Sequence, residues 1–164
     1  MAGLSSMDRS WRMQTEPSRD RERVSGLEIE ARMPSEIKAI SPLADRLMQL
    51  IEETHCVTGE ELGVELALRE ALNNAVVHGN RFDSGKTVQV RCRCELGKGV
   101  SIIVKDAGDG FDSSSIPDPS AAENLEAEHG RGILLMRSQM DEVFFESGGT
   151  EVHLRKMSWN WRRQ

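Results

Sequence analysis

The spacing of apolar positions changes period several times along this chain, and each change marks an element. Leu27, Ile29 and Ala31 alternate with Glu28, Glu30 and Arg32, which predicts a short half-buried strand starting at Gly26. After Pro34 the period lengthens. Ile37, Ile40, Leu43, Leu47, Leu50 and Ile51 recur at helical intervals as far as Glu53, with Ser35 as the expected N-cap and Pro42 as a point of kinking or splitting. Thr58, with Glu61 three residues on, has the pattern of a capping box and opens a second helix that runs to His78-Gly79. The period of two then returns: Val88, Val90, Cys92, Cys94 and Leu96 face one way, Gln89, Arg91, Arg93 and Glu95 the other. Gly97-Lys98-Gly99 turns that strand into a hairpin partner over residues 100–106. Residues 107–129 are rich in Ser, Pro, Asp and Glu, too long and too polar for a simple connection, and read as a lid or a disordered segment. A third helix is expected from Gly130 to Met140 with Ile133, Leu134, Met136 and Met140 inward, followed by a hairpin of residues 143–146 and 150–156 around Ser-Gly-Gly. Helices and strands in separate blocks predict an α+β fold: a two-layer sandwich with a mainly antiparallel, mixed sheet and helices packed on one face.

Composition narrows the classes. At 164 residues and 38% hydrophobic the chain suffices for one compact domain, expected over residues 26–157. Residues 1–25 mix charges without apolar periodicity and read as a disordered leader, and 158–164 as a tail. The net charge of −6 argues against direct binding of nucleic acid. No apolar run reaches membrane-spanning length and the first 25 residues have no signal-like segment, so no membrane association and a cytoplasmic location are expected. Cys56, Cys92 and Cys94 fit neither a disulfide framework nor zinc pairs and read as reduced core residues.

Three segments carry candidate chemistry. On the second helix Glu70, Asn74 and His78 stand at i, i+4 and i+8, a polar stripe beside the apolar face of Val64, Leu68, Ala71 and Ala75. In Asp106-Ala-Gly108-Asp-Gly110-Phe111, Asp106 shares the parity of Val100, Ile102 and Val104, so its carboxylate points toward the covered side of the sheet. An inward carboxylate requires a partner, and an exocyclic amine such as adenine N6 is one that suits it. Gly130-Arg131-Gly132 leads into a helix, where free N–H groups and the helix dipole favour an anion. Each segment alone has an ordinary structural explanation. Gly85-Lys86-Thr87 is not a P-loop, because it follows a helix and opens a strand.

In this order the three segments resemble the N, G1 and G2 boxes of the GHKL ATPases, and EALNNAVVHGN, DAGDGF, GRGILLMRSQMDEV and GGTEVHL look most like the serine kinases that act as anti-sigma factors in bacterial partner switching. The resemblance covers roughly residues 27–156. It implies ATP and Mg2+ as cofactors, Glu70 as general base, Asn74 as a Mg2+ ligand, and Asp106 as the adenine contact. Gly108 and Gly110 would form the loop beside the base, Gly130 to Gly132 a phosphate cradle, and Thr150 a neighbour of adenine. Arg131 would touch phosphate or stay solvated, and His78 would close the helix end. The implied partners are an anti-sigma-factor antagonist protein, a sigma factor and a second copy of the chain. One departure is Glu128, where some family members carry a basic residue, in a lid that also holds Asp118, Glu123 and Glu126. Two other readings remain: a regulatory module that binds ATP without transferring phosphate, and a detached catalytic domain of the histidine-kinase type.

Overall fold

The computed structural model describes residues 13–14, 26–111 and 128–160. The elements in chain order are β1 (Met13–Gln14), β2 (Gly26–Pro34), α1 (Ile37–Thr54), α2 (Glu61–Asn74), β3 (Thr87–Glu95), β4 (Gly99–Lys105), α3 (Glu128–Gln139), β5 (Glu142–Glu146) and β6 (Glu151–Met157). They form one sheet in the order β1-β2-β3-β4-β6-β5, and every pairing in it is antiparallel, where a mixed sheet was expected. Two residues of the expected leader thus add a short edge strand, with Met13 opposite Ala31.

The strands have one covered face because their apolar residues alternate. Ile29, Ala31 and Met33 of β2, Val88, Val90, Cys92 and Cys94 of β3, Val100, Ile102 and Val104 of β4, and Val152 and Leu154 of β6 are all buried. Against them α1 lays Ile40, Leu43, Leu47 and Ile51, and α2 lays Val64, Leu68 and Leu72. Each such side chain removed from water stabilises the fold by about 1.5–3 kcal/mol. Leu96, expected to continue the buried row, lies past the end of β3 and is exposed.

Neither predicted cap forms. Ser35 is buried with its amide donating to the Lys86 carbonyl at 3.2 Å, so it prolongs the β2–β3 pairing, and Glu36 takes the N-cap place of α1 without a side-chain cap. Glu60, not Thr58, precedes α2, and the Thr58 hydroxyl donates to the His55 carbonyl at 3.2 Å. Left-handed backbone at His55 (φ 52°) before Thr58 and at Gly59 (φ 85°) after it separates Thr58 from the start of α2. Pro42 leaves α1 continuous. It stands on the exposed face beside solvent-exposed Lys38, whose carbonyl loses its helical donor on the wet side.

The last turn of the second helix, Ala75–Gly79, widens to π geometry before the chain leaves at Asn80. α3 begins two residues before the expected Gly130, and its buried row is Ile133 and Met136, continued by Met140 just beyond the helix. Leu134 lies on the flank, half-buried. The folded unit reaches past β6: Ser158 is buried, its amide donating to the Lys98 carbonyl at 2.9 Å and its hydroxyl to that of Gly97. No helix among the described residues is long and apolar enough to cross a membrane.

Candidate functional site

Between α2, α3 and the ends of β4 and β6 lies a cavity of about 360 Å³. Asn74, His78, Gly79, Asp106, Gly110 and Thr150 all contribute to its wall, with Ala71, Val104, Ile133, Met136 and Val152 supplying apolar surface. The cavity therefore draws on two of the three segments singled out in the sequence, while Gly130, Arg131 and Gly132 lie outside its wall and their helix reaches it through Ile133 and Met136. A mostly apolar pocket with a few convergent polar groups is the usual make-up of a small-molecule site.

Asp106 stands at one end, one residue past β4, half-buried as strand parity requires. Its amide donates to the Thr150 carbonyl at 3.0 Å, so the strand pairing continues one step beyond the ladder. Its Oδ1 accepts the Gly108 N–H at 2.8 Å. Burial pushes the carboxyl above its ordinary range, while the Gly108 N–H and the charge of Lys86 act the other way without cancelling it. Among the described residues no ion pair reaches this carboxylate.

Gly79 explains how the carboxylate fits. A Cβ at position 79 would fall on the Asp106 carboxylate itself, so the end of the second helix must be glycine for Asp106 to lie against it. Gly108 packs on the Gly79 carbonyl from the other side and stands behind the carboxylate, outside the cavity wall. Gly110 does line the cavity. With φ 76° it passes against the Gly148 carbonyl of the β5–β6 turn, where any side chain would collide. Thr150 sits at that junction: its hydroxyl donates to the Ser147 carbonyl at 3.0 Å and its methyl group faces Gly110.

At the other end Glu70 and Asn74 occupy successive turns of α2, both half-buried. A Cβ on Gly132 would approach Glu70 Oε2 to 2.9 Å and both side-chain heteroatoms of Asn74 to 3.4 Å, so the glycine lets the first turns of α3 close on these two polar groups. Gly130 and Arg131 belong to the first turn of the same helix, where backbone N–H groups lack helical acceptors. Arg131 is exposed. Asn74 borders the cavity and Glu70 stands one turn behind it. Residues 112–127, most of the expected lid, lie outside the described residues, as do the side chains of Glu128 and His129.

Several residues at the site escaped the sequence reading. Asn80 is fully buried and ties three segments together: its Nδ2 donates to the Thr87 carbonyl at 3.2 Å, its Oδ1 accepts the Ala107 N–H at 2.8 Å, and its amide donates to the Ala75 carbonyl at 2.8 Å. Phe111 and Phe145 meet edge to face, 5.1 Å between centroids, and close one side of the cavity. Arg81, with φ 53°, reaches the rim from the loop after the π turn. A polar residue two places past a helix end, and aromatics on both sides of a long insertion, are the only local signals these carry.

A family model described as the histidine kinase-like ATPase domain matches residues 33–156, which takes in every element from the end of β2 to β6. The chain is also similar to the anti-sigma F factor of Geobacillus stearothermophilus, 34% identical over 104 residues, 60% of this chain and 70% of that protein. The anti-sigma F factor of Clostridium perfringens (strain SM101 / Type A) is 34% identical over 106 residues, 60% and 74% of the two chains. That of Heyndrickxia coagulans is 30% identical over 117 residues, 68% and 79%. With the family match spanning most of its length, this chain belongs to the histidine kinase-like (GHKL) ATPase family.

Proposed function

We propose that the protein is an ATP-dependent serine/threonine kinase that acts as an anti-sigma regulatory factor, phosphorylating an antagonist protein and sequestering a sigma factor. The observation that carries the nucleotide part is the half-buried Asp106 carboxylate, without an ion pair among the described residues, at one end of a cavity whose other end is Asn74. Such a group needs a donor, and the exocyclic amine of adenine supplies one; guanine presents an acceptor at the same place. Gly110, Thr150 and the aromatic pair line the same cavity, and a base held by Asp106 would lie beside them.

The residues present also fit the cofactors. The first turn of α3, which holds Gly130, suits phosphate, and Gly132 in the next turn brings the helix against Glu70 and Asn74. Asn74 offers a hard carbonyl oxygen. Among the described residues no cluster of three acidic, histidine or cysteine ligands stands at this end, so a metal here would draw most of its ligands from the nucleotide and water, as Mg2+ does. When bound, Mg2+ would offset charge on the phosphates. Glu70 would then orient or deprotonate the acceptor serine hydroxyl from the adjoining turn of α2.

The kinase and sigma-binding roles draw their support from the similarity to anti-sigma F factors and the shared boxes. The test is incubation of the purified chain with γ-labelled ATP, Mg2+ and a candidate antagonist, with mutation of the acceptor serine as control. Label on that serine supports the kinase. Bound ATP without transfer to any serine-bearing partner leaves a regulatory ATP-binding module.

A further inference from the structure

The sheet face opposite the helices carries a second set of ligating side chains. Glu146 ends β5, Glu151 opens β6 directly across from it, and His153 follows two residues later, so strand parity brings all three to the outer face of the terminal hairpin. His153 Nε2 lies 2.9 Å from Glu151 Oε1 and 3.3 Å from Glu146 Oε2, and the three atoms stand within 4.8 Å of one another. The ring of Phe144, the cross-strand partner of His153, stacks on the imidazole at 4.6 Å and 16°, which fixes its plane. Lys105 holds the second oxygen of Glu151 at 3.3 Å and leaves Oε1 turned to the histidine. The side chains of His153 and Glu151 are 17% exposed and that of Glu146 57%, so the group is closed toward the sheet and open toward solvent.

We propose that Glu146, Glu151 and His153 form a site for a divalent transition-metal ion of the zinc type, with solvent completing its coordination. Bonds of 2.0–2.2 Å to nitrogen and oxygen in a tetrahedron place neighbouring ligand atoms about 3.3–3.6 Å apart; the 3.3 Å from His153 Nε2 to Glu146 Oε2 already matches, and the 2.9 Å to Glu151 Oε1 would open by about half an ångström around an ion. One imidazole with two carboxylates suits zinc, cobalt or nickel better than Mg2+ or Ca2+, which take oxygen alone. The Phe144 stack and the Lys105 contact are the kind of supporting shell that orients ligands before an ion arrives. No nucleotide is involved, and the cavity lies across the sheet, so this site stands apart from the ATP reading.

The experiment uses the full chain, stripped of metal with EDTA and free of nucleotide. It is titrated with Zn2+ in competition with a chromophoric chelator, while the ring nitrogens of the four histidines are followed by NMR. One equivalent of Zn2+ should bind with a shift of the His153 Nε2 resonance, Mg2+ should not compete, and Glu146→Gln or His153→Gln should weaken binding tenfold or more. Glu146 is largely exposed, so Glu146→Gln tests the site at an unchanged melting temperature even where the histidine variant does not fold. A parent that binds no Zn2+, or binding left intact in Glu146→Gln, would overturn the proposal and leave His153 as a partner in carboxylate ion pairs only.

Discussion

Asp106 is kept in a setting that opposes its own charge. Burial raises its pKa from the ordinary 3.8, so the folded state holds the proton more tightly than the unfolded chain. The sign follows directly. Its contribution to stability is full below the unfolded pKa and is lost as pH rises through the folded pKa, which makes the ionised carboxylate a liability in the free protein at neutral pH. Asp106→Asn keeps the size that Gly79 accommodates and an oxygen for the Gly108 N–H. The variant should therefore melt at a higher temperature than the parent while binding ATP about 10- to 100-fold more weakly, the scale of a hydrogen bond to a charged group. Calorimetry and a thermal melt on the same samples check both halves, and unchanged affinity would remove adenine recognition from this residue. The cysteines give a second residue-scale expectation. Contact with Cys94 and burial push the Cys56 thiol up; although contact with Cys56 lowers it, Cys92 and burial push the Cys94 thiol up to about 12. Neither should react with a thiol reagent at pH 8 until the protein unfolds, as mass spectrometry of timed alkylation would show.

At the scale of elements, the junction of the second helix, β3 and β4 depends on Asn80. Asn80→Ala strands the Ala107 N–H next to Asp106, which should cost about 1–3 kcal/mol in urea unfolding and loosen the Asp106 turn enough to weaken ATP binding as well. A loss of stability with unaltered affinity would confine Asn80 to the scaffold. The inward aim of Asp106 was legible from the sequence because parity along β4 is a local property that a period of two carries without error. Glu70 and Asn74 were legible for the same reason, one helical turn apart on a strongly patterned segment. Asn80 was not, because its partners Thr87 and Ala107 lie 7 and 27 residues away and only the closed sheet brings them together. The capping box at Thr58 misled for the converse reason: the motif was present, but the left-handed turn at His55 had already redirected the chain. The extra strand β1 had no local signal at all, since a two-residue pairing is set by the edge of β2.

At the scale of the whole molecule the proposed function gives the two ends of the cavity separable work. Asp106, Gly110 and Thr150 line the cavity and in the proposed function belong to binding, while Glu70 stands behind Asn74 where the first turns of α3 close on α2, outside the cavity wall. A group so placed touches the nucleotide little in the ground state, and its proposed part begins only when a partner protein brings a serine hydroxyl to the phosphates. Glu70→Gln keeps the length and helix preference of glutamate and still fits against Gly132, but it accepts no proton. It should bind Mg-ATP nearly as well as the parent and hold a sigma factor equally in pull-downs, yet phosphorylate the antagonist about 10²–10⁴-fold more slowly, the usual cost of a missing base. Single-turnover transfer with labelled ATP measures the chemical step apart from binding. Transfer at the parental rate would rule Glu70 out as the base, and a matching loss of ATP affinity would place its work in holding the nucleotide.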